Sequence, residues 1–325
     1  MCNLYIAEVL FLAILPVLQA GQVRYPQEKH LKNVRQLTFG GQNAEGYFSY
    51  DNKQIVFQSS NLFGTSCDQI YRMDVESSQK EVIRVSTGLG ACTCSYFMPN
   101  NRDMLYASTF LADLKCPQKL CQSNAVNTNA TVKFLCNTTY TWDIFPGYDI
   151  FHVNQWGNIK QRLTASDSYD AEATLSPLGD KIVFTSLRSG DLELWTMNLN
   201  GSDLKQITNK IGYDGGAFFS PDGKKLIFRA SRPKTENEIA KYKLLLKYNL
   251  VEPTRMELFI VNADGSDMRQ ITKLGGANWA PFYHPNGKQI IFSSNHENVT
   301  HGFNFNLFMV NEDGTGLEKV ICLRS

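Results

Sequence analysis

The sequence is short of the features that place most chains in a functional class. Its 32 Lys and Arg stand against 31 Asp and Glu, for a formal net charge of +1. No polybasic stretch disturbs that balance, so neither nucleic acid nor an acidic membrane surface is an expected partner. The apolar run from Val9 to Leu18 is too short to span a bilayer. There is no Gly-x-Ser-x-Gly elbow and no α/β pattern to supply its His and Asp partners, which excludes a complete peptidase of the serine-hydrolase type. Histidine is scarce, with five in 325 residues. His296 and His301 flank Glu297 at a spacing that fits no zinc motif, and Cys92-Thr93-Cys94 lacks the usual two-residue spacer.

What is present is the composition of a folded domain, 43% hydrophobic and 19% charged. Residues 1–20 read as a signal peptide, an apolar run followed by the small-residue site Gln19-Ala20-Gly21. The pattern departs from the ideal because Glu8 sits where a cation is expected, which leaves an uncleaved anchor as the alternative. The expected mature chain, 21–325, is secreted and extracellular, or periplasmic if bacterial, with no membrane span.

The dominant signal is a unit that returns after about 44 residues. Leu175-Ser176-Pro177-Leu178-Gly179-Asp180-Lys181 followed by Ile182-Val183-Phe184 is echoed by Phe219-Ser220-Pro221-Asp222-Gly223-Lys224-Lys225 followed by Leu226-Ile227-Phe228, and again from Tyr283 to Phe292. Weaker copies run from Phe48 to Phe57 and from Phe97 to Tyr106. Each reads as a hairpin, strands a and b, and a second hairpin, strands c and d, follows through turns such as Asn198 to Asp203. Four antiparallel strands repeated radially make a β-propeller, so the expected fold class is all-β, with five readable blades.

The run Ser220-Pro221-Asp222-Gly223-Lys224-Lys225, with Asn262 to Asp267 and Arg269-Gln270-Ile271-Thr272, resembles the repeat of TolB-type propellers over residues 34–321. The resemblance implies a six-bladed ring in which an N-terminal strand completes the last blade. Asn33 to Thr38 carries the strand d signature without strands a to c of its own. The expectation is an incomplete sixth blade, and hence an open ring or a strained five-bladed closure. Similar blades serve as the partner-binding domain of TolB, as gates of prolyl-oligopeptidase-like peptidases and as scaffolds of oligogalacturonate lyases, so the motif specifies fold far more than function.

Two insertions, 109–145 and 233–253, fall in b-to-c connections on one face. In the second, Thr235 to Glu238 reads as a capping box, and Ile239, Tyr242, Leu245, Leu246 and Leu250 recur at helical spacing. Cys67, Cys92, Cys94, Cys116, Cys121 and Cys136 crowd the same face. They are expected to form disulfides in an oxidising compartment, with connectivity open, the alternative being small buried hydrophobes. Asn129, Asn137, Asn200 and Asn298 are glycosylation acceptors if the chain follows a eukaryotic secretory path. The Asp-Gly turns at 262–267 and 311–314 begin like calcium loops but lack the bidentate Glu, so they read as hairpin turns.

The starts of the innermost strands point at the central channel and bring Glu45, Asp170, Glu172, Asp214, Asn278 and Trp279 to its mouth. The carboxylates suit Ca²⁺ or Mn²⁺, or a basic group on a partner. The alternative is that each caps a turn or pairs with a Lys or Arg of a neighbouring blade. The functional expectation is a non-enzymatic module without a bound cofactor, taking a protein or glycan at the channel mouth. Its competitor is a carbohydrate-active enzyme, a lyase or hydrolase, using a metal at the acidic rim.

Overall fold

The computed structural model describes residues 30–31, 34–76, 81–301 and 304–321. The expected signal peptide and Cys322 lie outside them. Five four-stranded antiparallel sheets follow one another, each in the order a-b-c-d. Blade 1 comprises Gln42–Phe48, Gln54–Ser60, Gln69–Asp74 and Val82–Arg84. Blade 2 comprises Cys92–Phe97, Met104–Ser108, Asp149–Val153 and Ile159–Arg162. Blade 3 comprises Asp170–Leu175, Lys181–Ser186, Glu193–Asn198 and Lys205–Gln206. Blade 4 comprises Asp214–Phe219, Lys225–Ala230, Glu257–Asn262 and Arg269–Gln270. Blade 5 comprises Asn278–Tyr283, Gln289–Ser294, Asn306–Asn311 and Glu318–Ile321. The fold is a β-propeller.

The repeated turn sequences explain the hairpins. In blade 4 the Asp222 carboxylate accepts from Ser220 Oγ at 2.6 Å and from the Lys224 amide at 3.1 Å, closing the a-to-b turn from inside. At the c-to-d turn of the same blade, Asp264 accepts from the amide and hydroxyl of Ser266, so this segment is hairpin chemistry and not a calcium loop. Apolar side chains of strands b and c fill the spaces between sheets. Val183, Leu194, Leu226, Phe228 and Val261 make one such layer between blades 3 and 4, and Ile227, Leu258, Ile290, Phe292 and Phe308 the next between blades 4 and 5. Burial between neighbouring sheets is what holds a propeller together.

Blade 5 and blade 1 are not packed in this way. Strand a of blade 1 lies against strand a of blade 2, and strand a of blade 5 against blade 4, with no comparable packing between blades 5 and 1. Phe48 is accordingly 52% exposed and Phe282 42%. The ring is therefore open on that side among the described residues. Val34 to Thr38, expected as a lone strand d, joins no ladder there. His30 Nε2 meets Glu318 Oε1 of blade 5 at 3.0 Å, Arg35 donates to the Val75 carbonyl of blade 1 at 3.1 Å, and Leu37 packs on Phe57, Tyr71 and Met73.

The b-to-c connections of blades 2 and 4 carry helices. The first carries α1 (Ala125–Thr128) and α2 (Ala130–Thr138), and the second α3 (Glu236–Lys247), whose Thr235/Glu238 capping box is formed. The sequence did not show that they pair with each other. Trp142–Asp143 and Leu250–Val251 form a two-stranded antiparallel sheet.

Candidate functional site

Every strand a breaks its register at the same phase. The breaks fall between Ala44 and Tyr47, Thr93 and Tyr96, Ala171 and Thr174, Gly215 and Phe218, and Trp279 and Phe282. Inside each break one residue adopts the left-handed conformation: Glu45, Cys94, Glu172, Gly216 and Ala280, with φ between 47° and 59°. Such bulges re-aim side chains, and all five of these residues line one cavity of about 750 Å³. Two positions further along, Tyr47, Tyr96, Phe218 and Phe282 meet across the axis, with ring centroids 5.0–6.2 Å apart. Tyr47 and Phe218 line the cavity, and all four rings line a second space of about 480 Å³.

Two positions earlier the side chains turn into the sheets. Asp170, Asp214, Asn278 and Cys92 are essentially unexposed and do not line the cavity. Asp170 is held by Ser186 Oγ at 2.5 Å, Ser166 Oγ at 2.8 Å and Arg188 Nη2 at 2.8 Å. Asp214 pairs with the Arg232 guanidinium, and Asn278 Nδ2 donates to the Met256 carbonyl at 2.7 Å. Burial pushes the Asp214 carboxyl up to about 6 despite Arg232. Of the six residues expected at the mouth, the structure brings Glu45, Glu172 and Trp279 together and sets Asp170, Asp214 and Asn278 beneath them.

Glu172 is committed within the protein. Its Oε1 accepts from Arg229 Nη2 and the Tyr213 hydroxyl at 2.6 Å each, and its Oε2 from Thr185 Oγ1 and the Gly216 amide at 2.7 Å each. Burial acts to raise this carboxyl, but the Arg229 charge and these hydrogen bonds hold it below the usual carboxylate range. Arg229 comes from strand b of the next blade and lies over the rings of Trp142 and Tyr213 at 5.6 and 5.1 Å. Among the described residues no group of three or more His, Cys, Asp or Glu converges as metal ligands.

The paired insertions supply the roof, with Tyr140, Thr141, Trp142, Asp143 and Phe145 facing the cavity. Trp142 meets Trp279 of blade 5 at 5.1 Å. Two disulfides brace this roof. Cys67–Cys116 ties it to blade 1, and Cys121–Cys136 closes its helical part. Cys92 and Cys94, expected among the disulfides, are free thiols. They lie on strand a, Cys92 turned into the sheet and Cys94 into the cavity. Burial pushes the Cys92 thiol up to about 12, and burial followed by Glu45 and Glu172 raises that of Cys94.

Sequence reasoning missed the roof aromatics, Arg229 and the tyrosines Tyr148, Tyr169 and Tyr213. The last two were within reach, since each directly precedes the aspartate that opens its strand. The roof was not, because it depends on two insertions about 100 residues apart folding onto one another.

No family model matches the chain, and no curated protein matches it. Solved structures do. A TolB-type protein of Agrobacterium tumefaciens aligns over 86% of this chain and 81% of its own, at 16% identity and a TM-score of 0.60. TolB of Acinetobacter baumannii aligns over 84% of this chain and 53% of its own, at 16% identity and 0.55. Hydrazine synthase of Kuenenia stuttgartiensis aligns over 86% of this chain and 38% of its own, at 14% identity and 0.58. The likeness establishes a TolB-type propeller fold, a fold that enzymes and non-enzymes share.

Proposed function

We propose, on the premise of a TolB-type propeller roofed over its channel mouth, that this protein is a non-enzymatic binding module whose ligand occupies the roofed cavity. One observation carries the reading. The two insertions pair into a single cover over about 750 Å³ lined by bulge residues from all five blades. A space of that size, walled by aromatic rings with a few polar groups, suits a small ligand or a side chain presented by a protein or glycan partner. The competing metal-dependent carbohydrate-active enzyme draws no comparable support, because Asp170, Glu172 and Asp214 are each engaged by an arginine.

The same reading places the protein in an oxidising compartment, secreted or lumenal. The two disulfides support this. Asn129, Asn137 and Asn200 are exposed and Asn298 is half-buried, so sugar at the first two would stand on the roof.

The test is a thermal-melt screen of the intact chain against small amines, sugars and peptides, repeated on Ser293→Trp, which fills the cavity from its blade 5 wall. Ligands that raise the melting temperature of the parent and not of the variant support the reading. Ligands that shift both equally bind elsewhere and overturn it.

A further inference from the structure

The lining carries more negative charge than the protein itself neutralises. Four carboxylates face the cavity: Glu45, Asp68, Asp143 and Glu172. Glu172 is balanced by Arg229 at 2.6 Å. Among the described residues the other three form no salt bridge, although Lys119 stands on the same lining. Glu45 Oε2 accepts the Tyr47 hydroxyl at 2.5 Å, Asp68 Oδ2 the Gln58 side-chain amide at 3.3 Å, and Asp143 Oδ1 the Leu120 amide at 2.8 Å. These are neutral donors, which solvate a carboxylate without cancelling its charge. Burial accordingly pushes the carboxyls of both Asp68 and Asp143 up, with Lys119 only partly opposing.

The walls between these carboxylates are aromatic. Trp142, Trp279, Phe145, Tyr148, Tyr169 and Tyr213 all face the space. Tyr148 and Tyr169 are more than nine-tenths buried, yet their hydroxyls bond no protein group among the described residues. Ser95 Oγ on the same lining is buried and unpaired. Ser95 Oγ, withdrawn from water and left without a partner, is costly unless a bound water or ligand completes it. The Arg229 guanidinium over Trp142 and Tyr213 shows that these rings accept a cation on their faces.

We propose that the cavity takes an organic cation, an ammonium or guanidinium group seated against the aromatic walls, with Asp68, Asp143 and Glu45 supplying the counter-charge. This rests on the binding-module reading above and names its ligand class. An anion would meet the excess negative charge, and a neutral ligand would leave it uncompensated. A metal ion would need its oxygen ligands to converge, which the carboxylates here do not do. A diffuse organic cation fits both the spread of the carboxylates and the ring faces.

The experiment is calorimetric titration of the intact chain with choline, with 3,3-dimethylbutan-1-ol as its uncharged isostere, and with a capped Gly-Lys-Gly peptide. Choline or the peptide is expected to bind roughly tenfold or more tightly than the isostere. Asp68→Asn and Asp143→Asn, which keep shape and hydrogen bonding, should each weaken the cation about fivefold without lowering the melting temperature. Tighter binding of choline assigns a free small cation, and tighter binding of the peptide a side chain presented by a protein partner; either supports the proposal. Equal binding of the isostere overturns the cation assignment and leaves the cavity reading standing. Cation binding that persists in Ser293→Trp overturns both, and no saturable response to any cation overturns the proposal.

Discussion

Arg229 and Glu172 form the ion pair on which the cavity wall depends, and their burial sets the sign of any substitution there. The two side chains are 9% and 10% exposed, so neither charge can be returned to water if its partner is removed. Arg229→Met is expected to lose about 3–5 kcal/mol of stability, whereas Arg229→Met combined with Glu172→Gln should recover much of that loss. Urea denaturation of the parent and these two variants checks both statements. Behind the wall, Glu193 is buried and its Oε2 has no partner. Burial, then the nearby Asp214, pushes its carboxyl up to about 8 from an ordinary 4.5. The folded state therefore holds a proton that the unfolded chain releases, so this contribution is full below about pH 4.5 and is lost as pH rises through about 8. Stability should fall across that window, and Glu193→Gln should flatten the fall. A pH series of denaturation midpoints decides it.

At the scale of elements, the c-to-d turns both shape each blade and fasten it to the one before. Gly265 sits at φ +91°, and a Cβ there would lie 2.9 Å from the Ile207 carbonyl at the end of blade 3. Gly201 and Gly314 stand in the same relation to Leu163 and Ile271. Gly265→Ala should cost about 1–3 kcal/mol, because it meets both a left-handed backbone and a backbone contact. Thermal unfolding would report it. The roof depends differently on its staples. Cys121–Cys136 closes a segment of 15 residues around α1 and α2, which the chain-entropy account values at about 3 kcal/mol. Cys121→Ser should loosen the roof while the blades keep their cooperative melt. Hydrogen exchange should rise across 120–143 and not in the blade cores, and uniform exchange would contradict that division.

For the whole molecule, the decisive feature is how the carboxylates are shared between sheets and cavity. With Asp170, Glu172 and Asp214 held by Arg188, Arg229 and Arg232, the melting temperature should be the same in chelator and in excess Ca²⁺ or Mn²⁺. An ion bound only by the folded state at 100 times its dissociation constant would add about 2.7 kcal/mol, well within reach of the measurement. An upward shift lost in Asp170→Ala and Asp214→Ala would restore the metal-bearing rim. The open side between blades 5 and 1 belongs to this scale as well. There Phe48 and Phe282 stay exposed, while His30 contacts blade 5 and Arg35 and Leu37 contact blade 1.

The blades were legible because their information is local. Ser-Pro-Asp-Gly turns, alternating strands and Asp-Gly hairpins each act within about ten residues, and their return at one phase implied the propeller before any contact was known. The α3 capping box was legible for the same reason. The candidate site was legible only in outline. Of the six residues read there, Glu45, Glu172 and Trp279 line the cavity, while Asp170, Asp214 and Asn278, which open their strands, do not. A bulge, however, reverses which face a side chain takes, and nothing in the composition of Tyr169-Asp170-Ala171-Glu172 states that Asp170 turns into the sheet while Glu172 turns out. The arginines that spend these carboxylates, the free state of Cys92 and Cys94, and the roof made by pairing Trp142–Asp143 with Leu250–Val251 were decided by tertiary structure alone. The physical reason is that burial and charge pairing depend on which distant segments meet, and a single sequence records the segments without the meeting.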